Sequence, residues 1–151
     1  MLFVIFSIGQ WRYGLDSDEV IQISPLVNFT PFSDAPGYMR GLFNYRGENV
    51  QGVDLAFLAD SKKAENFLST RIIIAKYAVN KQGGLVGLIA EKVTETLRIW
   101  DSDFKAGGPS PEQAPFKGQM VTGKGKEIIM TRVENLLAFE IRHQLFIHEK
   151  N

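Results

Sequence analysis

The stretch Gly41-Leu42-Phe43-Asn44-Tyr45-Arg46-Gly47 decides how this chain is read. Two glycines bracket a pair of aromatics, an amide and an arginine within seven residues. Read for structure alone, Gly41 and Gly47 supply turn geometry, Phe43 and Tyr45 pack in a core, and Arg46 pairs with a nearby carboxylate such as Asp54. Read for function, an arginine fixed between two strands presents a rigid fork of donors to a partner surface.

Working outward, strands are expected over residues 42–46 and 49–55, on either side of Gly47-Glu48. Toward the N-terminus, residues 2–8 and 12–16 read as strands joined tightly at Gly9-Gln10. Asp16-Ser17-Asp18-Glu19-Val20 then starts a helical turn, with acidic residues near its N-terminal end. Pro25, Pro31 and Pro36 make the next stretch extended and irregular, because each removes a backbone donor and restricts the residue before it.

Toward the C-terminus, residues 60–66 form a polar surface connection. Residues 71–79 and 85–90 make a hairpin about Asn80-Lys81-Gln82-Gly83-Gly84. Residues 92–100 alternate: Lys92, Thr94, Thr96 and Arg98 face one way and Val93, Leu97 and Ile99 the other, with Glu95 as a rim residue that breaks the apolar face. A loop with little regular structure follows over 106–115. A last hairpin, 116–122 and 127–131, turns at Gly123-Lys124-Gly125-Lys126, and Val133, Leu137, Ile141 and Leu145 line one face of a helical tail. Nine or ten strands, most in antiparallel succession, suit two small barrels or one sandwich.

A chain of 151 residues that is 44% hydrophobic and 23% charged is one globular domain with a real core. Seventeen basic residues balance seventeen acidic ones, so the basic footprint of a nucleic-acid binder is missing. There are no cysteines, which removes disulfides, thiolate catalysis and thiolate metal sites and fits a reducing compartment. The apolar opening Met1-Leu2-Phe3-Val4-Ile5-Phe6-Ser7-Ile8 lacks a basic flank, is too short for a membrane span and reads as a buried strand; a cytoplasmic location is expected.

No arrangement for catalysis or cofactor binding emerges. Residues 118–124 fit the start of a phosphate-binding loop, but Gly125 stands where a Ser or Thr hydroxyl is needed, and strand–turn–strand is the wrong context. The runs Asp16-Ser17-Asp18 and Asp101-Ser102-Asp103 fail as calcium loops at their fifth and sixth positions, where Val20-Ile21 and Lys105-Ala106 stand. His143 and His148 are five apart and do not make a metal pair on one helix face. No nucleophile elbow is present for a catalytic triad.

The order of elements resembles the CheW family of chemotaxis coupling proteins. Tyr13-Gly14-Leu15 precedes Val20-Ile21-Gln22-Ile23; Ala35-Pro36 follows; Gly41–Gly47 fits the family's glycine, hydrophobic, any, Asn, hydrophobic, Arg, Gly pattern; and Val53-Asp54-Leu55 closes the next strand. Residues 72–75 and 86–93 are similar to the family's second half, and 116–118 with 128–137 to its closing hairpin and helix. The resemblance implies an all-β fold of two small SH3-like five-stranded barrels packed together, with short helices and a C-terminal helix. Residues 1–140 would form one domain of two intertwined barrels, and residues 141–151 a helical tail.

It also implies a non-catalytic scaffold, without cofactors, that links methyl-accepting chemoreceptors to a CheA-type histidine kinase. One barrel would meet the kinase regulatory domain, and the groove between barrels would take the receptor's helical hairpin. Carried over by position, Val20, Gln22, Asn44, Arg46, Gly47 and Asp54 are the candidate partner-binding residues. Two positions depart: the family's frequent Glu is Gln22, and its Pro-Val pair is Gln51-Gly52, so partner choice is expected to differ. A narrower resemblance, to the accessory coupling proteins of Wsp-type surface-sensing systems, is carried by Met1-Leu2-Phe3, Phe43–Gly47, Ser69-Thr70-Arg71, Thr94-Glu95-Thr96 and Arg132-Val133-Glu134. Those arrays feed a response regulator that makes cyclic-di-GMP. The alternative reading is a β-barrel module for a small ligand or RNA with no array role.

Overall fold

A computed structural model describes residues 1–104 and 107–150 of the chain. Nine strands among them build two five-stranded barrels that share one strand. β1 (Leu2–Ile8) and β2 (Trp11–Asp16) form the expected hairpin at Gly9-Gln10, and Asp16 caps a single 3-10 turn at Ser17–Glu19, accepting from the Asp18 N–H at 2.9 Å. The remaining strands are β3 (Val20–Pro25), β4 (Met39–Tyr45), β5 (Glu48–Asp54), β6 (Arg71–Val79), β7 (Gln82–Arg98), β8 (Gln119–Gly123) and β9 (Lys126–Thr131).

The first barrel runs β7-β1-β2-β9-β8 and the second β3-β6-β7-β5-β4, with parallel joins only at β2–β9 and β5–β7. The expected break between 85–90 and 92–100 does not exist. β7 continues for 17 residues, long enough at about 3.3 Å per residue to serve both barrels. It changes direction at a bulge: Ile5 faces Glu95 but Ser7 faces Glu91, and Lys92 takes a φ of +53°. The turn before it is also tighter than expected. Asn80 and Lys81 alone make it, with φ of +50° and +70°, the handedness that matches strand twist in a two-residue hairpin.

Continuous apolar runs in β1 and β6 have a common cause: both of their faces are buried. Phe3 and Ile5 point into the first barrel with Leu97, Val121 and Ile128, while Val4, Phe6 and Ile8 point between the barrels. Ile72 and Ile74 point into the second barrel with Phe43 and Ile89, while Ile73 and Ala75 join the shared core. That core between the barrels is the largest cluster, and each fully buried aliphatic in it contributes about 1.5–3 kcal/mol.

Other differences are local. Val20–Pro25 is a strand rather than irregular chain, because Pro25 sits at its end and removes no interior ladder donor. Leu55 opens a helix, α1 (Leu55–Asp60), capped by Asp54 and ended by Ser61 in the left-handed region. A four-residue α2 (Asp101–Phe104) has Asp103 accepting from the Trp100 N–H at 2.8 Å, so both Asp-Ser-Asp runs are helix caps. Ala106, where the expected loop begins, and Lys105 lie outside the described residues. β8 begins at Gln119 rather than 116, since the Phe116 backbone is held by the Tyr13 hydroxyl. The single tail helix is two: α3 (Val133–Leu136) and α4 (Phe139–Lys150), separated by an extended Leu137. The expected boundary after residue 140 therefore falls inside α4, and Leu145 is buried in the shared core.

Candidate functional site

The β4–β5 hairpin turns at Arg46 and Gly47, with φ of +50° and +86°. Glycine adopts this conformation freely, whereas arginine there costs on the order of 1 kcal/mol. The Oδ1 of Asn44 accepts from the Gly47 N–H at 3.2 Å and braces the turn. At the other end, Gly41 has a φ of +128° where β4 shifts register, and a Cβ there would meet the Thr30 carbonyl oxygen at 2.4 Å. Phe43 is buried edge-on against Phe29, with ring centroids 5.6 Å apart. Tyr45, expected in the core, is only half-buried.

Tyr45 and Arg46 converge on Gln22. The Tyr45 hydroxyl donates to Gln22 Oε1 at 2.9 Å, Arg46 Nη2 donates to the same oxygen at 3.4 Å, and the guanidinium lies 5.4 Å from the Tyr45 ring centroid. β3 and β4 are the two end strands of the second barrel, so this contact closes its seam beside the paired Thr30–Leu42 backbone bonds, both 2.8 Å. Gln22, Asn44, Arg46 and Gly47 are all exposed and lie together. A register shift between Val20 and Gln22 turns Ile21 outward, leaving it 42% exposed.

Asp54 does something else. It is completely buried and pairs with Arg40 at 2.9 Å, not with Arg46. Its oxygens also accept from the Phe57 N–H at 3.2 Å and the Ala64 N–H at 3.0 Å. Glu95 keeps its rim position but spends its charge internally, on Arg12 at 2.8 Å and Lys124 at 3.6 Å.

Val20, half-buried at the start of β3, follows Glu19, which lines a crevice of about 280 Å³ together with Asp18, Lys76, Arg132 and Arg142 among others. Glu19 ties its two sides, accepting from the Val133 N–H at 3.3 Å and lying 3.8 Å from Arg132. Burial raises the Glu19 carboxyl pKa, and the Arg132 charge opposes that rise. Exposed apolar side chains, Ile21, Phe67 and Leu68 among them, were not legible as exposed from sequence; Leu68, at 98% exposure, sits in a loop whose periodicity carries no signal.

Residues 2–140 match the CheW-like domain. The chain belongs to the CheW family. It is 26% identical over 139 residues to the chemotaxis protein CheW of Helicobacter pylori, covering 89% of this chain and 80% of that protein. The CheW of Klebsiella aerogenes is 25% identical over 143 residues, covering 91% and 82%. The crystal structure of the scaffolding protein TtCheW from Thermoanaerobacter tengcongensis superposes with a TM-score of 0.73 at 26% identity, covering 90% of this chain and 86% of that one. The two-barrel architecture is thus the CheW fold. Within it, Gln51, one of the departures from the family pattern, is buried and donates from Nε2 to the Leu145 carbonyl at 3.1 Å, tying β5 to α4. Its neighbour Gly52 makes room for the Phe29 ring, which a Cβ would approach to 2.5 Å.

Proposed function

We propose that this chain is a non-catalytic coupling scaffold of a chemosensory array, joining methyl-accepting chemoreceptor tips to a CheA-type histidine kinase. The observation that carries the reading is the CheW-family match across residues 2–140. The exposed cluster of Gln22, Asn44, Arg46 and Gly47 supports it, because an arginine propped on Tyr45 and Gln22 offers preorganised donors to a partner surface. In this reading the second barrel meets the kinase regulatory domain through that cluster, and the groove between the barrels takes the receptor's helical hairpin, with Val20 among the contacts. Asp54 supports the surface from inside rather than touching a partner.

The setting proposed is the cytoplasm; among the described residues no helix is long and apolar enough to cross a membrane. Binding titrations with the cognate kinase regulatory domain and receptor tip test the whole proposal. Saturable binding to either, weakened by Arg46→Glu or Val20→Glu, supports it; no binding to both ends it.

A further inference from the structure

Lys92, Lys126 and Arg12 line one hollow of about 420 Å³ on the first barrel, together with the hydroxyl residues Ser7 and Thr94 and a single carboxylate, Glu95. The chain as a whole carries equal numbers of acidic and basic residues, so this excess is local. Glu95 does not neutralise it. Its Oε1 is taken by Arg12 and its Oε2 lies toward Lys124, a fourth cation reaching in from the β8–β9 turn. Lys92 and Lys126 have no acidic partner among the described residues. The Arg12 guanidinium is itself only partly satisfied: Nη1 is shut off from solvent and has no acceptor.

The hollow owes its shape to the β7 bulge. Residues 92–94 are left without partners on β1, and the backbone there bends away from it. Lys92 holds a left-handed φ of +53° in doing so, a conformation that a side chain of its type adopts only at a cost. Bulges of this kind re-aim side chains at sites of function. The volume lies within the range of small-ligand pockets and is far larger than a trapped water needs, about 30 Å³. Amines, a guanidinium and hydroxyls around one concavity are the donor set for phosphate oxygens.

We propose that this hollow binds a small phosphate-bearing anion of about diphosphate size. The site is separate from the coupling surface and does not depend on that reading of the chain. Lys92 comes from the bulge of the shared strand, Arg12 from β2 and Lys126 from β9. A bound anion would therefore tie three strands of the first barrel at the point where β7 leaves for the second.

Isothermal titration of the full chain with inorganic diphosphate, at ionic strength matched with sodium chloride, tests this. The expected result is saturation at one site per chain. Lys92→Gln and Lys126→Gln should each weaken binding about fivefold, and the double variant should abolish it. Glu95→Gln, which removes the competing carboxylate, should tighten it. Lys76→Gln, on the other barrel, should leave it unchanged. Heats that never saturate, binding that survives the double variant, or equal weakening by Lys76→Gln would each overturn the proposal.

Discussion

Arg40 Nη2 stands 2.9 Å from the Asp54 carboxylate, and that carboxylate has no contact with solvent. One side chain thereby ends β5, caps α1 and holds Ala64 of the following loop. Replacing Arg40 by Met leaves a buried charge without its counter-charge, and such losses cost about 3 kcal/mol or more. Urea unfolding should show the shift in midpoint. A loss below about 1 kcal/mol would mean that the backbone donors alone hold Asp54.

Tyr13 is fully buried, and its hydroxyl donates to the Phe116 carbonyl at 2.9 Å and accepts from the Phe116 N–H at 3.0 Å. Tyr13→Phe keeps the ring and strips both partners. The expected cost is about 1–3 kcal/mol, with faster amide exchange at Phe116 as the local sign.

Glu19 gives a pH dependence. Its folded-state pKa is raised above the ordinary 4.5, chiefly by burial, so the folded protein binds this proton more readily than the unfolded chain. Its contribution therefore favours folding below about pH 4.5 and is lost as pH rises to the folded value. Glu19→Gln keeps an acceptor for Val133 and removes the titration. The variant should match the parent at low pH and gain on it toward neutrality in denaturation midpoints, apart from the weak, exposed pair with Arg132. A constant difference at all pH values would sink this account.

Arg46 and Gln22 separate binding from stability. Both are exposed, so Arg46→Glu should change the unfolding free energy by less than about 0.5 kcal/mol while weakening kinase binding about tenfold or more. Gln22→Glu puts a carboxylate where an amide oxygen now lies 3.4 Å from Arg46. It should stabilise by no more than about 1 kcal/mol, and its effect should appear in partner preference instead. Comparative titrations against two kinases distinguish the two effects.

Most strands were legible because alternation and turn residues mark them directly; β1, β2 and β6 fall where the sequence puts them. What escaped depended on tertiary context. Nothing local says that Leu85–Ala90 and the run after Lys92 are one strand, since the bulge between them exists only because two barrels claim its halves. α1 was hidden because Asp54 reads equally well as a strand end or a cap. Arg46 was legible as a candidate through its motif, but its proposed pairing with Asp54 was wrong: Arg40, on the inward side of the same hairpin, reaches that carboxylate first. The charges around Lys92 are scattered over three strands and invisible to any reading along the chain.

Sharing β7 has a consequence for the order in which the protein can be made. The second barrel draws on a continuous stretch from β3 to the first half of β7, whereas the first barrel needs β1 and β9 together. On a ribosome adding roughly 5–20 residues per second, β1 waits on the order of ten seconds between its own emergence and that of Lys126. Stalled nascent chains in which residue 100 has cleared the ribosome should resist protease across the second barrel and be cut within β1 and β2. Leu2–Ile8, apolar on both faces, is thus synthesised well before β9 and is among the last segments to be enclosed, and it is where a nascent-chain chaperone would be needed.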